Sequence, residues 1–477
     1  MSNSQPSQIS VQRRLAFVLL HSSFVLLSGC NLAPKYFSPR PELPTEFKTE
    51  GPWRTAKPND DVARGDWWSL FNDSRLSALM REAEVASPTL EIARQRVVEA
   101  RAQARADKAG LFPFATLRNS AQRDRSTGTM AFQFAGGRTR NTLLNTLDFD
   151  YEVDFWGKNR NLGRAGNARA DAQEADLHNA RLGLLSELAM NYYALRVQDA
   201  QIALLKRTVS VRQRTVDMAQ KRFTQGDIAQ IDVAQAETDL AETQAEAIGL
   251  ERQRAEFEHA IALLLGKMPS DFTLPPGPLA GAPPSLPRSV PSALLERRPD
   301  IASAEREMAA LNAEIGVAKA AYFPSVTIGL RGGTQTSFYQ LVDNKSSQIW
   351  GLGPAAIEWP LLRGGRVKAD HEVSKARYER GAATYRQTVL AAMRDTEDSL
   401  SALDVLRRQS AAQDVTVNSA TRALELSQKR YESGLVAYYE VLDAQRTQLR
   451  AERESTRLQG ELFLATVLLV KALGGGW

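Results

Sequence analysis

A mainly helical chain carrying a strand portion that closes only by joining other copies is what the sequence predicts, on three observations. Two long stretches are free of proline, and the first carries apolar residues at seven-residue intervals. Two shorter regions alternate apolar and polar residues strictly, as half-hydrated strands do. The second half of the chain repeats the first at an offset near 210 residues. Composition narrows the class further. Across 477 residues, 60 Lys and Arg are interspersed with 55 Asp and Glu, so no positive charge is concentrated for nucleic acid. A mean hydropathy of −0.34 is too polar for a bundle of spanning helices, each of which needs about 20 apolar residues. The single cysteine rules out an intramolecular disulfide and any Cys-based zinc site.

The N-terminus accounts for that cysteine. Arg13 and Arg14 precede a short apolar run, Leu15 to Leu27, which ends in Leu27-Ser28-Gly29-Cys30. Basic flank, short apolar run and small residues before a cysteine resemble the lipobox of bacterial lipoproteins, whose cysteine is lipidated and becomes the first residue. Asn31 follows, not the Asp that retains such proteins in the inner membrane, so the resemblance implies sorting to the outer membrane. Residues 1–29 are expected to be a lipoprotein signal peptide, with Cys30 the lipidation site. Acyl chains then anchor the protein without a spanning helix.

Proline spacing and the repeat divide the rest. Nine of the 21 prolines fall between Pro269 and Pro299, and none lies in 114–268 or 361–477. A Pro-rich linker, 269–298, therefore separates two stretches in which helices can run uninterrupted. Ser87-Pro88-Thr89-Leu90 answers to Arg298-Pro299-Asp300-Ile301, and Leu111-Phe112-Pro113 to Tyr322-Phe323-Pro324. Further on, Lys221 to Gly226 answers to Lys429 to Gly434, and Glu152 and Arg160 to Glu358 and Arg366. Four matching blocks in the same order are a duplication. The period is too long for a solenoid unit.

Each half reads alike. Ala-rich helices over 88–110 and 299–320 close on the Phe-Pro pairs. Strands follow: Leu147, Phe149, Tyr151, Val153 and Phe155 alternate with Asp148, Asp150, Glu152 and Asp154, giving an apolar face and a hydrated acidic face. Val326, Ile328 and Leu330 alternate likewise. Trp350 and Leu352 do too, until the phase slips near Ala355-Ala356 and predicts a bulge. The strand after Pro113 has the weakest pattern. Gly- and Ser/Thr-rich tips join the strands at 126–141 and 331–348. Long helices come next, over 157–225 and 364–432. In the first, Leu188, Leu195, Ile202, Val209, Val216 and Phe223 recur every seven residues, the coiled-coil period. At 1.5 Å per residue such a helix is about 100 Å long, which predicts an elongated protein. Gly226 and Gly434 end these helices, and return helices run to about 267 and 473.

Four strands cannot close a transmembrane barrel, and lipid does not tolerate open edges. If the apolar face meets lipid, copies must join: two chains give eight strands and a filled barrel, three give twelve strands and a lumen. The alternative is a soluble four-stranded sheet with its acids in solvent.

Several motifs resemble the TolC-like outer-membrane factors of tripartite efflux pumps, in their lipoprotein branch. They are Gly65-Asp66-Trp67-Trp68, Tyr151 to Gly157, Leu294-Leu295-Glu296-Arg297-Arg298-Pro299-Asp300-Ile301, and the ending Lys471 to Trp477. The resemblance spans Leu32 to Trp477. It implies a homotrimer in which a twelve-stranded outer-membrane β-barrel continues into a twelve-helix periplasmic α-barrel tunnel, girdled by an equatorial region. It implies a passive exit duct working with a periplasmic adaptor protein and an inner-membrane pump, and no catalysis. On that reading 30–86 is a lipid-anchored extension and equatorial segment. Residues 87–268 form the first structural repeat, and 299–477 the second with a C-terminal equatorial segment. A competing function is a periplasmic coiled-coil lipoprotein without a pore, a scaffold or adaptor; outward-facing strand residues would serve it no purpose.

Nothing in the sequence argues for an enzyme or a cofactor. His21, His178, His259 and His371 do not pair at metal-ligand spacing, and His371-Glu372 fails the HExxH pattern because residue 375 is Lys. Arg363-Gly364-Gly365-Arg366 between strand and helix suits a flexible transition better than an anion site. The candidate gate lies past the two helix-ending glycines. Glu440 and Asp443 are spaced to share one helix face. The resemblance implies a tip narrowed by carboxylate rings and locked by hydrogen bonds and ion pairs. Asp232, Tyr431, Glu440 and Asp443 resemble acidic or tyrosine positions of that constriction, and Arg446 a lock arginine. Val436 stands where some members carry an arginine. The N-terminal dipole also favours acids at helix starts, so this simpler explanation stays open for each carboxylate.

Overall fold

A computed structural model describes residues 31–37, 47–48, 66–125, 127, 139–279, 281–284, 298–337 and 347–475. Cys30 and the expected signal peptide lie outside the described residues, as do most of the hairpin tips and the later part of the linker.

A tight helical turn, Trp67–Phe71, leads to α1 (Ser74–Ala86) and α2 (Pro88–Ala109). Then come β1 (Phe114–Arg125), β2 (Thr139–Val153), α3 (Lys158–Gln225) and α4 (Gln230–Leu264). The second half supplies α5 (Pro299–Ala320), β3 (Ser325–Thr336), β4 (Gln348–Glu358), α6 (Arg366–Glu432) and α7 (Tyr438–Ala472). The described elements of the two halves follow in the same order. The chain packs as two units, and each takes segments from both halves: Val97–Gln173 with Ser303–Tyr385, and Glu174–Ala302 with Arg386–Trp477, together with N-terminal pieces.

The first unit holds an antiparallel sheet in the order β1-β2-β3-β4. Register places Leu117, Leu147 and Trp350 in one cross-strand row, with Phe149, Leu330 and Leu352 in the next. Paired residues share a face. This face is apolar and open: Leu117 is 69% exposed, Trp350 85% and Leu352 79%. The expected bulge sits where Ile328 pairs with Ala355 and Leu330 with Leu352, so Gly353 and Pro354 have no partner across the ladder. Two expectations change. The strand ends at Val153, because Asp154 turns back to accept from the Asn159 and Arg160 amides at 3.0 and 2.9 Å and starts α3. Phe155 therefore leaves the alternation. Nor is the acidic face simply hydrated. Asp148 is buried, 2.7 Å from Arg331 Nε and 3.5 Å from Arg118 Nε, because register sets a basic residue on each neighbouring strand beside it. Trp156 stacks on Phe323 with centroids 4.6 Å apart and donates to the Pro324 carbonyl, tying the end of β2 to the start of β3.

The second unit is built on a core of Trp67, Trp68, Tyr192, Tyr193 and Phe463 with Leu188 and Leu195. Asp73 caps α1 through the Arg75 and Leu76 amides and accepts from the Tyr192 hydroxyl at 2.7 Å. Arg196, Asp199, Arg254 and Glu258 form a closed polar network that grips Leu274, Pro275 and Gly277 at the start of the linker. The heptad line of α3 is buried at Leu188, Leu195 and Ile202, then opens, until Phe223 is 38% exposed.

Candidate functional site

The site is the tip of the second unit, where α3 turns into α4 and α6 into α7. Both turns are made alike. Gly226 and Gly434 hold φ of +83° and +71°, which side chains with a Cβ resist. Asp227 N then donates to the Arg222 carbonyl, and Leu435 N to the Arg430 carbonyl, each at 2.9 Å. Ala229 and Ala437, both extended, start the return helices without a side-chain cap. Asp232 supplies what Ala229 lacks, since its Oδ2 accepts from the Ala229 amide at 3.3 Å.

Two polar clasps join the helices above these turns. In the first, Arg222 donates to the Tyr431 hydroxyl and lies 4.9 Å over its ring, while Tyr438 meets Tyr431 at 5.4 Å between centroids. Burial pushes the Tyr438 phenol above its ordinary pKa. In the second, Arg446 on α7 reaches Asp239 on α4 through Nε at 3.1 Å, with Nη2 on the same oxygen. Asp239 is 1% exposed and Arg446 is 48% exposed. Arg212, 7% exposed, donates to the Asp239 carbonyl at 2.6 Å and to the Thr243 hydroxyl. One turn-pair higher, Arg453 meets Glu246.

Five residues were predicted for this tip, and the structure distributes them among different partners. Tyr431 and Arg446 sit in the two clasps. Asp232 is bonded to its own helix start. Glu440 lies 3.8 Å from Arg430, both about half exposed. Asp443 is exposed and has no ion pair or hydrogen bond among the described residues. Cys30 falls outside the described residues. Sequence reasoning missed Asp239, Arg212 and Arg222. Asp239 could have been found: it holds a helical phase otherwise occupied by Val233, Ala236, Thr243, Ala247 and Leu250, all buried. A charge in a buried phase needs a partner. Among the described residues no three His, Cys, Asp or Glu side chains are grouped to hold a metal, and no helix is long and apolar enough to cross a membrane.

The sequence profile of the outer membrane efflux protein family matches residues 79–267 and 290–475. The chain belongs to the outer membrane efflux protein family. A solvent efflux pump outer membrane protein of Pseudomonas putida, SrpC, is 30% identical over 464 residues, spanning 95% of this chain and 97% of its own. SilC of Salmonella typhimurium, described by its name as a probable outer membrane lipoprotein, is 29% identical across 96% of this chain and 98% of its own. Among solved structures, the outer-membrane channel OprN superposes with a TM-score of 0.85 at 28% identity, covering 94% of this chain and 100% of that one.

This efflux protein is thus the outer-membrane component of an efflux system, in a family of transport channels. Its sheet has an open apolar face and strands of 11 to 15 residues.

Proposed function

We propose that three copies of this chain assemble into a passive exit duct, a twelve-stranded outer-membrane barrel continued by a twelve-helix periplasmic tunnel. The duct receives small molecules from an inner-membrane pump through a periplasmic adaptor and catalyses nothing. The observation that carries this is the four-stranded sheet with an exposed apolar face, whose outer strands β1 and β4 each have one partner among the described residues. Unpaired edges in lipid are untenable, and joining copies pairs them. The exposed end of the α3 heptad line at Phe223 supports the same assembly, because a neighbouring helix would cover it. Cys30 carries the lipid and begins the mature chain. The divisions 30–86, 87–268, 269–298 and 299–477 serve as anchor and equatorial segment, first repeat, linker and second repeat.

In this assembly the tip is the gate. Asp232, Glu440 and Asp443 would recur in threes about the axis, and Tyr431 and Arg446 would hold neighbouring helices. The exposure of Glu440 and Asp443 supports this, since neither is buried in its own chain. The solvent named for the Pseudomonas putida relative is one cargo class to try; drugs, metals and other small molecules are equally open to a duct whose pump selects.

One preparation tests the proposal. Native mass spectrometry of membrane-extracted protein should read three chains, each lacking residues 1–29 and carrying a diacylglyceryl-type addition. The same material should form discrete channels in a planar bilayer. A stable monomer with no conductance would establish the non-pore scaffold instead.

A further inference from the structure

Register gathers a charged cluster on the sheet face opposite the apolar one. Asp148 faces Arg331 across the β2–β3 ladder and lies diagonal to Arg118 on β1. Its carboxylate is 2.7 Å from Arg331 Nε and 3.5 Å from Arg118 Nε. Water does not see the three charges equally. The Asp148 side chain is 7% exposed, whereas Arg118 is 61% and Arg331 52% exposed. The carboxylate is the floor and two guanidiniums are the surface, so one positive charge stands in excess at this level. The neighbours leave both arginines room. On the same face, Thr116 and Ser120 flank Arg118 along β1, and Gly329 and Gly333 flank Arg331 along β3. Across the ladder from Arg331 stands Gly351, with open space where a Cβ would be. The rest of this face is acidic or balanced. Toward the helices, Lys158 answers Glu152 at 3.1 Å and Arg363 answers Glu358 at 3.0 Å. Asp150 is exposed and has no ion pair among the described residues. Toward the hairpin tip, Asp124 stands opposite Arg140 in register. Without Arg118 and Arg331, Asp148 and Asp150 would therefore be two uncompensated carboxylates on one face.

We propose that Arg118 and Arg331 set the charge selectivity of the duct, passing small organic anions along a wall whose acids would otherwise repel them. The inference rests on the proposed three-chain barrel, in which the face opposite the apolar one is the lumen. Each chain then contributes both guanidiniums to a collar at the level of Asp148. Collars of arginine or lysine favour anions, as rings of acids favour cations. Asp148 has a second part in this arrangement. From beneath, it holds Arg331 across the ladder and Arg118 along the wall, so the positive charge keeps a fixed height in the lumen. The collar acts at short range, since salt screens charges beyond about 8 Å at physiological ionic strength. It therefore selects solutes that travel near the wall, by charge and not by shape.

Reversal potentials of full-length protein in a planar bilayer, under a potassium chloride gradient, read the anion-to-cation permeability ratio. Arg118→Gln combined with Arg331→Gln should lower that ratio about twofold at low salt and less at high salt. Arg331→Lys keeps the charge and should keep the wild-type ratio. Asp148→Asn removes the carboxylate beneath two retained guanidiniums and should raise it. Shifts of opposite sign from residues in contact cannot come from a general loosening of the sheet. Channels with the same ratio in wild type and in the double glutamine variant overturn the proposal. So does a fall in Arg331→Lys equal to that in Arg331→Gln, which would make the residue a structural one. Wild-type protein that forms no channel at all overturns the duct reading itself, and this inference with it.

Discussion

Asp239 and Arg446 show how unequal the two ends of one ion pair can be. The carboxylate is buried and the guanidinium is half in water, so removing each leaves a different remainder. Arg446→Ala strands a buried charge, softened by the nearby Arg212, and should cost about 3 kcal/mol. Asp239→Ala leaves an arginine that can turn to solvent, and should cost about 1 kcal/mol. Urea unfolding of the purified variants checks the order; equal losses would mean that Asp239 is not the buried partner. Tyr192 carries a pH dependence of its own. Burial, with Asp73 beside its hydroxyl, pushes the phenol up to about 12, against the opposing pull of Arg196. The unfolded chain loses this proton near pH 10 and the folded chain later. The stabilisation is therefore complete below about pH 10 and is lost as pH rises through about 12. Thermal unfolding midpoints should stay level to about pH 10 and fall from there to about 12, and Tyr192→Phe should flatten the decline.

At the scale of the element, the sheet shows where periodicity is readable and where it is not. β2 was legible because Leu147, Phe149, Tyr151 and Val153 alternate with acids. β1 was barely legible, since Leu117 is its one large apolar residue on that face, with Ala115, Asn119 and Ala121 beside it. Its strand state comes from pairing with β2 from Thr139 to Asp150, which no local pattern encodes. The acids divided for the same reason: Asp148 became an ion-pair residue and Asp154 a helix cap according to what register and chain direction placed nearby. The apolar face makes a sharp prediction. Trp350→Lys, on the exposed apolar face that meets lipid in the proposed barrel, should cost about 2–4 kcal/mol near the membrane midplane and reduce the assembled protein recovered from outer membranes. Thr327→Lys, on the opposite face, should leave recovery close to wild type. Equal recovery of both variants would mean that this face does not meet lipid.

For the molecule as a whole, duplication and packing follow different divisions. The sequence halves repeat element by element, yet each compact unit draws on both, because a helix or strand buries its apolar face against whatever the fold brings near, not against its neighbour in sequence. What the sequence by itself determined was local or periodic. The glycines at 226 and 434 stop helices because backbone sterics act within a few residues. The heptads, the strand alternation and the repeated blocks needed only spacing, and the family followed from motifs in order. What the tertiary structure alone decided was partnership: Arg446 with Asp239, Arg222 with Tyr431, and Trp156 with Phe323. Each of these pairs residues more than a hundred positions apart. Their energies depend on distance and burial in space, and spacing along a chain carries neither.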